Sequence, residues 1–426
     1  MSLLVLVFAG LLLLSVPIAF VVGLSSLAQL LALGLPLQLI PLQMVDGVNS
    51  VTLLTIPLFV MTGEIMSHSG LMDAVVEFAD LLVGRFRGGL AHVNVLGSTF
   101  FAGMAGSAVA DISGLGSLEI DMMSKAGYKR SYAAALTASS SIQSPIIPPS
   151  ILTVMYAAAV SGVSTGGLFA GGFIPGFTIA LANMVIVAMK AKRENHPCRE
   201  TKIPFKDAVG ITLNSIPAML VPIIILGGIF GGVFTTTEAS GIAVLYALIL
   251  TLFIYKTLKF SDLPALFLKC AKTSTIVLFI IAGAQVLGYI FAVMRVPTMI
   301  TNFLVSFTTD KWVAITLVNV LLLIIGTFMD AGTSIILFCP IFAPVLISFG
   351  FHPIHAALVM VVAICVGLIT PPVGVALFTA SAVSGVKLEE VIKECVPFII
   401  VSVVALLIIT YIPELVLFVP RLLGYA

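Results

Sequence analysis

The sequence predicts an all-α polytopic membrane protein made of two inverted repeats, each with a re-entrant helical hairpin and a broken helix. Three observations lead there. Of 426 residues, 60% are hydrophobic and only 9% charged, so lipid is the solvent for most of the surface. The apolar residues come in long continuous runs, which suit helices and not the short alternating strands of a membrane barrel. Two distant stretches, 105–149 and 326–374, also share one plan: small residues, an aspartate, Ser and Gly, an apolar helix, then a Pro-Pro pair.

At about 20 apolar residues per span, the chain has room for roughly ten to twelve embedded helical passes. A net charge of +1 gives no reason to expect a nucleic-acid partner. Lys190, Lys192, Arg193, Arg199, Lys202 and Lys206 share one polar segment between apolar runs, and the positive-inside rule assigns that segment, 190–206, to the cytoplasm. The opening MSLLVLVFAG has no basic residue; it reads as a first span entered from outside, not as a cleaved signal peptide. The five cysteines show no CxxC spacing and the five histidines no metal pattern, so neither a disulfide nor a resident metal cofactor is expected.

In chain order, Leu3–Leu35 with Pro17 inside it is too long for one straight span and is either one kinked helix or two. Thr55–Met66 opens another helix, and Asp73–Arg87 reads as an amphipathic interfacial segment. A hairpin over about 88–128 centres on AGMAGSAVADISG, and a broken helix over about 131–160 carries SSSIQSPIIPPS. The basic segment closes the first repeat, 1–206. The second, 207–426, begins the plan again, with a hairpin over about 312–350 around GTFMDAGTS and a broken helix over about 353–384 around GLITPPVG. Asp330 lies 219 residues after Asp111, Gly283 220 after Gly63, Pro397 222 after Pro175 and Pro371 223 after Pro148, and AVSGV recurs 223 residues after Ala159. Such a duplication, with interrupted helices in matching places, marks secondary transporters whose site lies where the broken elements meet. Repetition alone is compatible with parallel or inverted halves, and an outer N-terminus with a cytoplasmic middle segment favours inverted ones.

A broken helix frees carbonyl oxygens, which together with Ser and Thr hydroxyls suit a hard cation such as sodium. The start of each returning hairpin arm offers N–H groups to a carboxylate. Plainer readings stand beside these. Asp111 and Asp330 could cap the returning helices, Ser139, Ser140 and Ser141 could be small packing residues, and Gly166–Gly176 reads as a hinge or as close packing, with packing favoured. Glu238 and Arg295 are isolated charges suited to a scaffold ion pair, a subunit contact or an interfacial anchor. An intramembrane aspartyl protease would show Gly-x-Gly-Asp, which surrounds neither aspartate. No GxxxxGK[ST] loop occurs either, so the expected energy source is an ion gradient and the chain is not expected to be an enzyme.

At SAVADISGLGSLEI, YAAALTASSSIQSPIIPPS, GGIFGGVFTTTEASGIAVLYAL, GTFMDAGTSIILFCPIFAPVL and GLITPPVGVALF, the chain resembles the large membrane subunit of tripartite ATP-independent periplasmic (TRAP) transporters over essentially its full length. It is more distantly similar to divalent-anion sodium symporters. The resemblance implies an elevator-type scaffold and transport domain in the bacterial inner membrane. It implies sodium-coupled uptake of an organic acid, of the sialic acid or four-carbon dicarboxylate class, and partnership with a periplasmic substrate-binding protein. It also implies a small four-helix membrane subunit, expected as a separate chain. The distant likeness leaves a free-standing sodium/anion symporter as the alternative. Carried onto this sequence, one sodium site would join Ser107 and Asp111 to Ser139, Ser141 and Ser144. A second would join Gly326, Thr327, Asp330 and Thr333 to Gly367, Thr370 and Val373. The substrate would lie between the tips, near Ser107, Pro149, Ser150, Thr333, Ser334 and Pro372.

Overall fold

The computed structural model describes residues 2–67, 71–198 and 203–426; His68, Arg199 and Lys202 lie outside them. The opening apolar stretch forms two helices, α1 (Ser2–Leu13) and α2 (Ile18–Ala32). Pro17 precedes α2 with ψ 135° and separates them. The helices α3 (Leu39–Val48) and α4 (Thr55–Ser67) meet at a 61° bend. The amphipathic segment becomes α5 (Leu71–Val83), which turns Val75, Val76 and Ala79 inward.

The first hairpin consists of α6 (Gly89–Ala105), a short α7 (Ala108–Asp111), a π turn over Ile112–Gly116 and α8 (Ser117–Lys125). The broken helix follows as α9 (Arg130–Ser141) and α10 (Ile151–Ala159), and α11 (Thr165–Arg193) closes the half. Ser164 caps α11 by accepting the Gly167 N–H, and Lys190, Lys192 and Arg193 fill its last turn, where positive charge suits the helix dipole.

The second half is α12 (Phe205–Phe230), α13 (Thr236–Ile249), α14 (Leu263–Val293) and α15 (Val296–Phe307), then the hairpin α16 (Lys311–Phe328) and α17 (Ala331–Ser348). It ends with α18 (Pro353–Gly367), α19 (Val375–Ser384), α20 (Leu388–Tyr411) and α21 (Glu414–Leu422). Glu238 is no ion-pair partner within these contacts: with Thr235 it forms an exposed capping box that starts α13. Among the described residues seven helices are long and apolar enough to cross a membrane, or eight if the bent α3–α4 pair is one span.

The two hairpins enter from opposite ends of the molecule, and α11 shows this. Its 29 residues span roughly 43 Å at 1.5 Å per residue. Near its C-terminal end Ala191 abuts Gly88 at the base of the first hairpin, and the Gly88 N–H donates to the Pro197 carbonyl at 3.1 Å. Near its N-terminal end Gly167 abuts Ile354 and Gly171 abuts Leu358. That is the base of the second hairpin, where Phe351 and Trp312 pack ring to ring at 5.5 Å. The glycines between are filled by neighbours, since Ile146 and Ile147 lie against Gly172 and Gly176, so this run is a packing surface.

The broken helices form the centre. Every residue of α9 from Tyr132 to Ser141 and of α18 from Ile354 to Gly367 is buried. Across the repeats α9 packs on α19 and α20, and α10 packs on α17. Outside this bundle α2, α3, α4 and α13 gather around α14 and one another. Large side chains such as Phe205, Leu213 and Ile223 on α12 point outward, where lipid tails satisfy them.

Candidate cation and substrate sites at the hairpin tips

Both hairpins turn back at mid-depth. In the first, Gly106 takes a left-handed conformation (φ 59°) to close α6, and Ser107 is extended (φ −144°) before α7 with no side-chain cap bond. In the second, Asp330 (φ −60°, ψ 148°) caps α17, its Oδ2 accepting the N–H groups of Gly332 at 2.9 Å and Thr333 at 3.4 Å. Asp330 is therefore the cap that its position suggested. Asp111 is not: it lies inside α7, one turn beyond the tip, and makes no cap bond.

Facing the second tip is the break that begins after Gly367. A methyl group on Gly326 would meet the Ile364 carbonyl at 2.6 Å, and one on Gly367 would meet the Gly326 Cα at 2.7 Å, so α16 and α18 touch backbone to backbone. The Gly374 N–H donates to the Thr327 carbonyl at 2.8 Å, joining the tip to the Thr370–Val373 segment. The Thr327 and Thr370 hydroxyls are turned onto their own helices, bonding Ile324 and Val366 carbonyls at 2.7 and 2.8 Å.

The first tip is built differently. Gly106 lies against the Pro149 carbonyl and Ile151, and Ser150 caps α10 by accepting the Thr153 N–H at 3.2 Å. The Asp111 carboxylate is 1% exposed, and neither oxygen has a hydrogen-bond partner. The Ser144 hydroxyl is equally buried and unpartnered. Ser139 points elsewhere, donating to Asn183 on α11 at 2.9 Å, and Ser141 bonds the Ala138 carbonyl. Asp111, beside Ser98 and Glu119, and Ser144, past the end of α9, are thus buried oxygen atoms left open, while Ser139 is committed to helix packing. A buried carboxylate and hydroxyl with no donors fit a hard cation that accepts only oxygen ligands.

A polar seam that no local pattern announced binds the first hairpin to α9. Asn94 donates to Glu119 Oε2 at 2.7 Å and to the Thr137 hydroxyl at 2.8 Å, and it accepts from Ser140 at 2.8 Å. Ser98 donates to Ser140 at 3.2 Å and Thr99 to Gln143 at 2.9 Å. Thr137 and Ser140 lie three residues apart on the α9 face toward α6, and Gln143 continues that line just past the helix end.

Between the tips lies a cavity of about 270 Å3, near the small end of the roughly 300–1,000 Å3 usual for ligand sites. Ser107 lines it from the first tip, Asp330 and Gly332 from the second, Pro145 and Leu368 from the breaks, and Glu64 and Thr273 from α4 and α14. Of the residues expected around substrate, Ser107 lines this space. Pro149, Ser150, Thr333, Ser334 and Pro372 are not part of its wall; Ser334 is turned back to bond the Asp330 carbonyl at 2.9 Å.

Two hairpins meeting from opposite faces above a small cavity define a membrane transporter. The fold is similar to that of MtrF from Neisseria gonorrhoeae, an antimetabolite efflux pump (TM-score 0.62, 14% identity, covering 88% of this chain and 83% of that one). It is also similar to the YdaH transporter of Alcanivorax borkumensis (TM-score 0.58, 14% identity, 87% of each chain). The sequence model of the DctM component of tripartite ATP-independent periplasmic transporters matches residues 5–415. Among curated relatives, the C4-dicarboxylate TRAP transporter large permease protein DctM of Pseudomonas aeruginosa is 35% identical over 88% of this chain and 87% of its own length. The sialic acid TRAP transporter large permease protein SiaM of Vibrio cholerae is 34% identical over 98% and 97%, and the uncharacterized protein YgiK of Salmonella typhimurium 37% identical over 97% and 96%. The chain belongs to the family of TRAP transporter large permeases.

Proposed function

We propose that this permease moves an organic acid anion into the cell by sodium symport, with the cavity between the hairpin tips as its substrate site. The observation that carries the reading is that both tips and both helix breaks border one cavity. Several relatives bear names of organic acids: C4-dicarboxylate, sialic acid, isethionate and 2,3-diketo-L-gulonate. Ala331 and Gly332 bring the N-terminal end of α17 to the cavity wall, where the positive end of the helix dipole favours negative charge, and Asp330 already takes the Gly332 and Thr333 N–H groups.

One sodium ion would be held near Asp111 and Ser144, the other by Asp330 and the backbone oxygens where Gly326 and Thr327 meet Gly367–Val373. Sodium supplies charge compensation for the anion, while the protein orients oxygen ligands and excludes water. The central bundle of hairpins and broken helices would slide as an elevator against the α2–α4 and α13–α14 scaffold. The basic segment around Lys190–Arg193 would face the cytoplasm and the membrane would be the bacterial inner membrane.

A periplasmic binding protein would deliver the anion, and a small membrane subunit would brace the scaffold. One relative is named as a joint DctMQ permease, and this chain spans 65% of it. The test is uptake of labelled succinate, sialic acid, isethionate and 2,3-diketo-L-gulonate into proteoliposomes holding this chain and its small subunit. Uptake of one anion requiring both an inward sodium gradient and the binding protein is expected. Uptake indifferent to the binding protein would make the chain a free-standing symporter, and uptake without sodium would remove the coupling assigned to the tips.

A further inference from the structure

The cavity has a charge problem that points to one further residue. Among the described residues its wall contains two carboxylates, Glu64 and Asp330, and no Lys, Arg or His. Asp330 is partly compensated by the two N–H groups it caps. Glu64, on α4, is compensated from just outside the wall: its Oε2 lies 2.7 Å from Lys269 Nζ. Lys269 sits one turn before Thr273 and two before Val277 on α14, and both of those line the cavity, so the three share one face of that helix. The Lys269 side chain remains 57% exposed and has room to swing.

Resting on the reading of the cavity as an organic-anion site, we propose that Lys269 recognises the substrate's carboxylate at the mouth of the cavity and that Glu64 is its built-in competitor. An anion entering beside Glu64 meets a like charge a few ångströms away unless an ammonium stands between them. Lysine carries three donor hydrogens on one flexible stem, so Lys269 can bridge two carboxylates or exchange one for the other. Glu64 is half-buried and Lys269 open to solvent, and an ion pair screened on one side in this way adds little to stability, on the order of 1 kcal/mol, so holding the scaffold together is a weak reason for this pair to sit at the cavity. The competition also allows release: Glu64 reclaims Lys269 as the anion leaves.

The position assigns a side. Glu64 is one turn from the end of α4, Lys269 is near the start of α14, and the cavity wall continues to Ser67. This is the half of the molecule nearer the base of the first hairpin, which contacts Pro197 next to the basic segment. Lys269 therefore acts on the cytoplasmic side of the exchange, and the substrate on that side is the one to vary.

The experiment uses the complete transporter in proteoliposomes, with whichever of the four labelled acids the unaltered protein takes up. Vesicles are preloaded with increasing unlabelled acid, and the internal concentration giving half-maximal exchange is measured. Lys269→Gln should raise it about tenfold, the worth of one charge-assisted hydrogen bond, whereas Lys269→Arg should stay within about threefold. Glu64→Gln should lower it severalfold, because the competitor is gone. This opposite sign separates recognition from a structural ion pair, whose two neutralised variants would fail alike. Equal impairment by Glu64→Gln and Lys269→Gln, or no change in either, overturns the assignment of Lys269 while leaving organic-anion transport intact. Exchange of none of the acids by the unaltered protein overturns both readings together.

Discussion

Asp330 holds in the second hairpin the place that Ser107 holds in the first, 223 residues earlier: each is the extended residue from which the returning arm starts. The register agrees with the Pro148 and Pro371 spacing and puts Asp111 opposite Ser334, not opposite Asp330. The two aspartates thus stand one helical turn apart in the repeat, and only Asp330 is a cap.

Cap and charge can be separated at Asp330. Asparagine caps nearly as well as aspartate, whereas alanine costs about 1 kcal/mol. Asp330→Asn should leave the melting temperature within a degree or two of the unaltered protein while raising the sodium concentration for half-maximal uptake about tenfold. Asp330→Ala should lower both stability and sodium response. An Asp330→Asn variant with normal sodium response would reduce the residue to a cap.

Gly326 and Gly367 leave no room for a side chain. The Cβ of Gly367→Ala would fall 2.7 Å from the Leu323 carbonyl and from the Gly326 Cα, contacts with backbone that cannot swing away. The expected result is a loss of about 1–3 kcal/mol, as for overpacked cores, read as earlier thermal unfolding together with lost uptake. Gly210→Ala, where nothing lies within 4 Å, is the control and should be silent.

Truncating Asn94 removes two donors at once. Asn94→Ala would leave Glu119, 2% exposed, without its 2.7 Å partner, and leaving a buried polar group unsatisfied typically costs about 1–3 kcal/mol. Adding Glu119→Leu should recover part of that loss, because the uncompensated carboxylate is then gone. Thermal unfolding of the single and double variants decides it; an additive double variant would show that the seam does not act as a unit.

His196 gives a pH signature outside the membrane. It lies between the Tyr128 and Tyr132 rings at 4.7 and 5.0 Å, and burial holds its imidazole below the usual 6.5, against the pull of Glu194. The unfolded chain therefore binds the proton first as pH falls. The stability contributed by neutral His196 is full above about pH 6.5 and is lost as pH falls from there through the lower folded value. His196→Phe should flatten the decline in unfolding temperature between pH 7.5 and 5.5; a decline of unchanged slope would put it elsewhere.

Legibility differed between the two kinds of feature. The hairpins and breaks are written in local chemistry: the small-residue run that ends α6 at Gly106 and the Pro148–Pro149 pair each mark an interruption on their own, so their places could be read one at a time. The seam is not local. Asn94, Glu119 and Thr137 are three isolated polar residues in apolar surroundings, brought together across 43 residues of chain only when the hairpin folds back on α9. Ser139, adjacent to Ser140, looked equivalent to it, but a rotation of about 100° per residue sends one toward α11 and the other toward α6. The Asp111 register failed because the two aspartates are not repeat equivalents: Ser107 and Asp330 keep the 223-residue spacing of Pro148 and Pro371, and a shared residue type disguised the difference of four.

The opposed entry of the hairpins has an electrical consequence. Arms of 17 residues in α6 and 18 in α16 carry the tips roughly 25 Å inward from opposite faces, so whatever the tips hold sits well inside the region across which the membrane voltage falls. Each elementary charge carried through the full potential is worth about 2.3 kcal/mol per 100 mV. Two cations travelling with a monoanion would make an inside-negative voltage a driving force beside the concentration gradient. The same two with a dianion would make transport electrically silent, so the net charge of the cargo sets how far the cell's voltage can fill it.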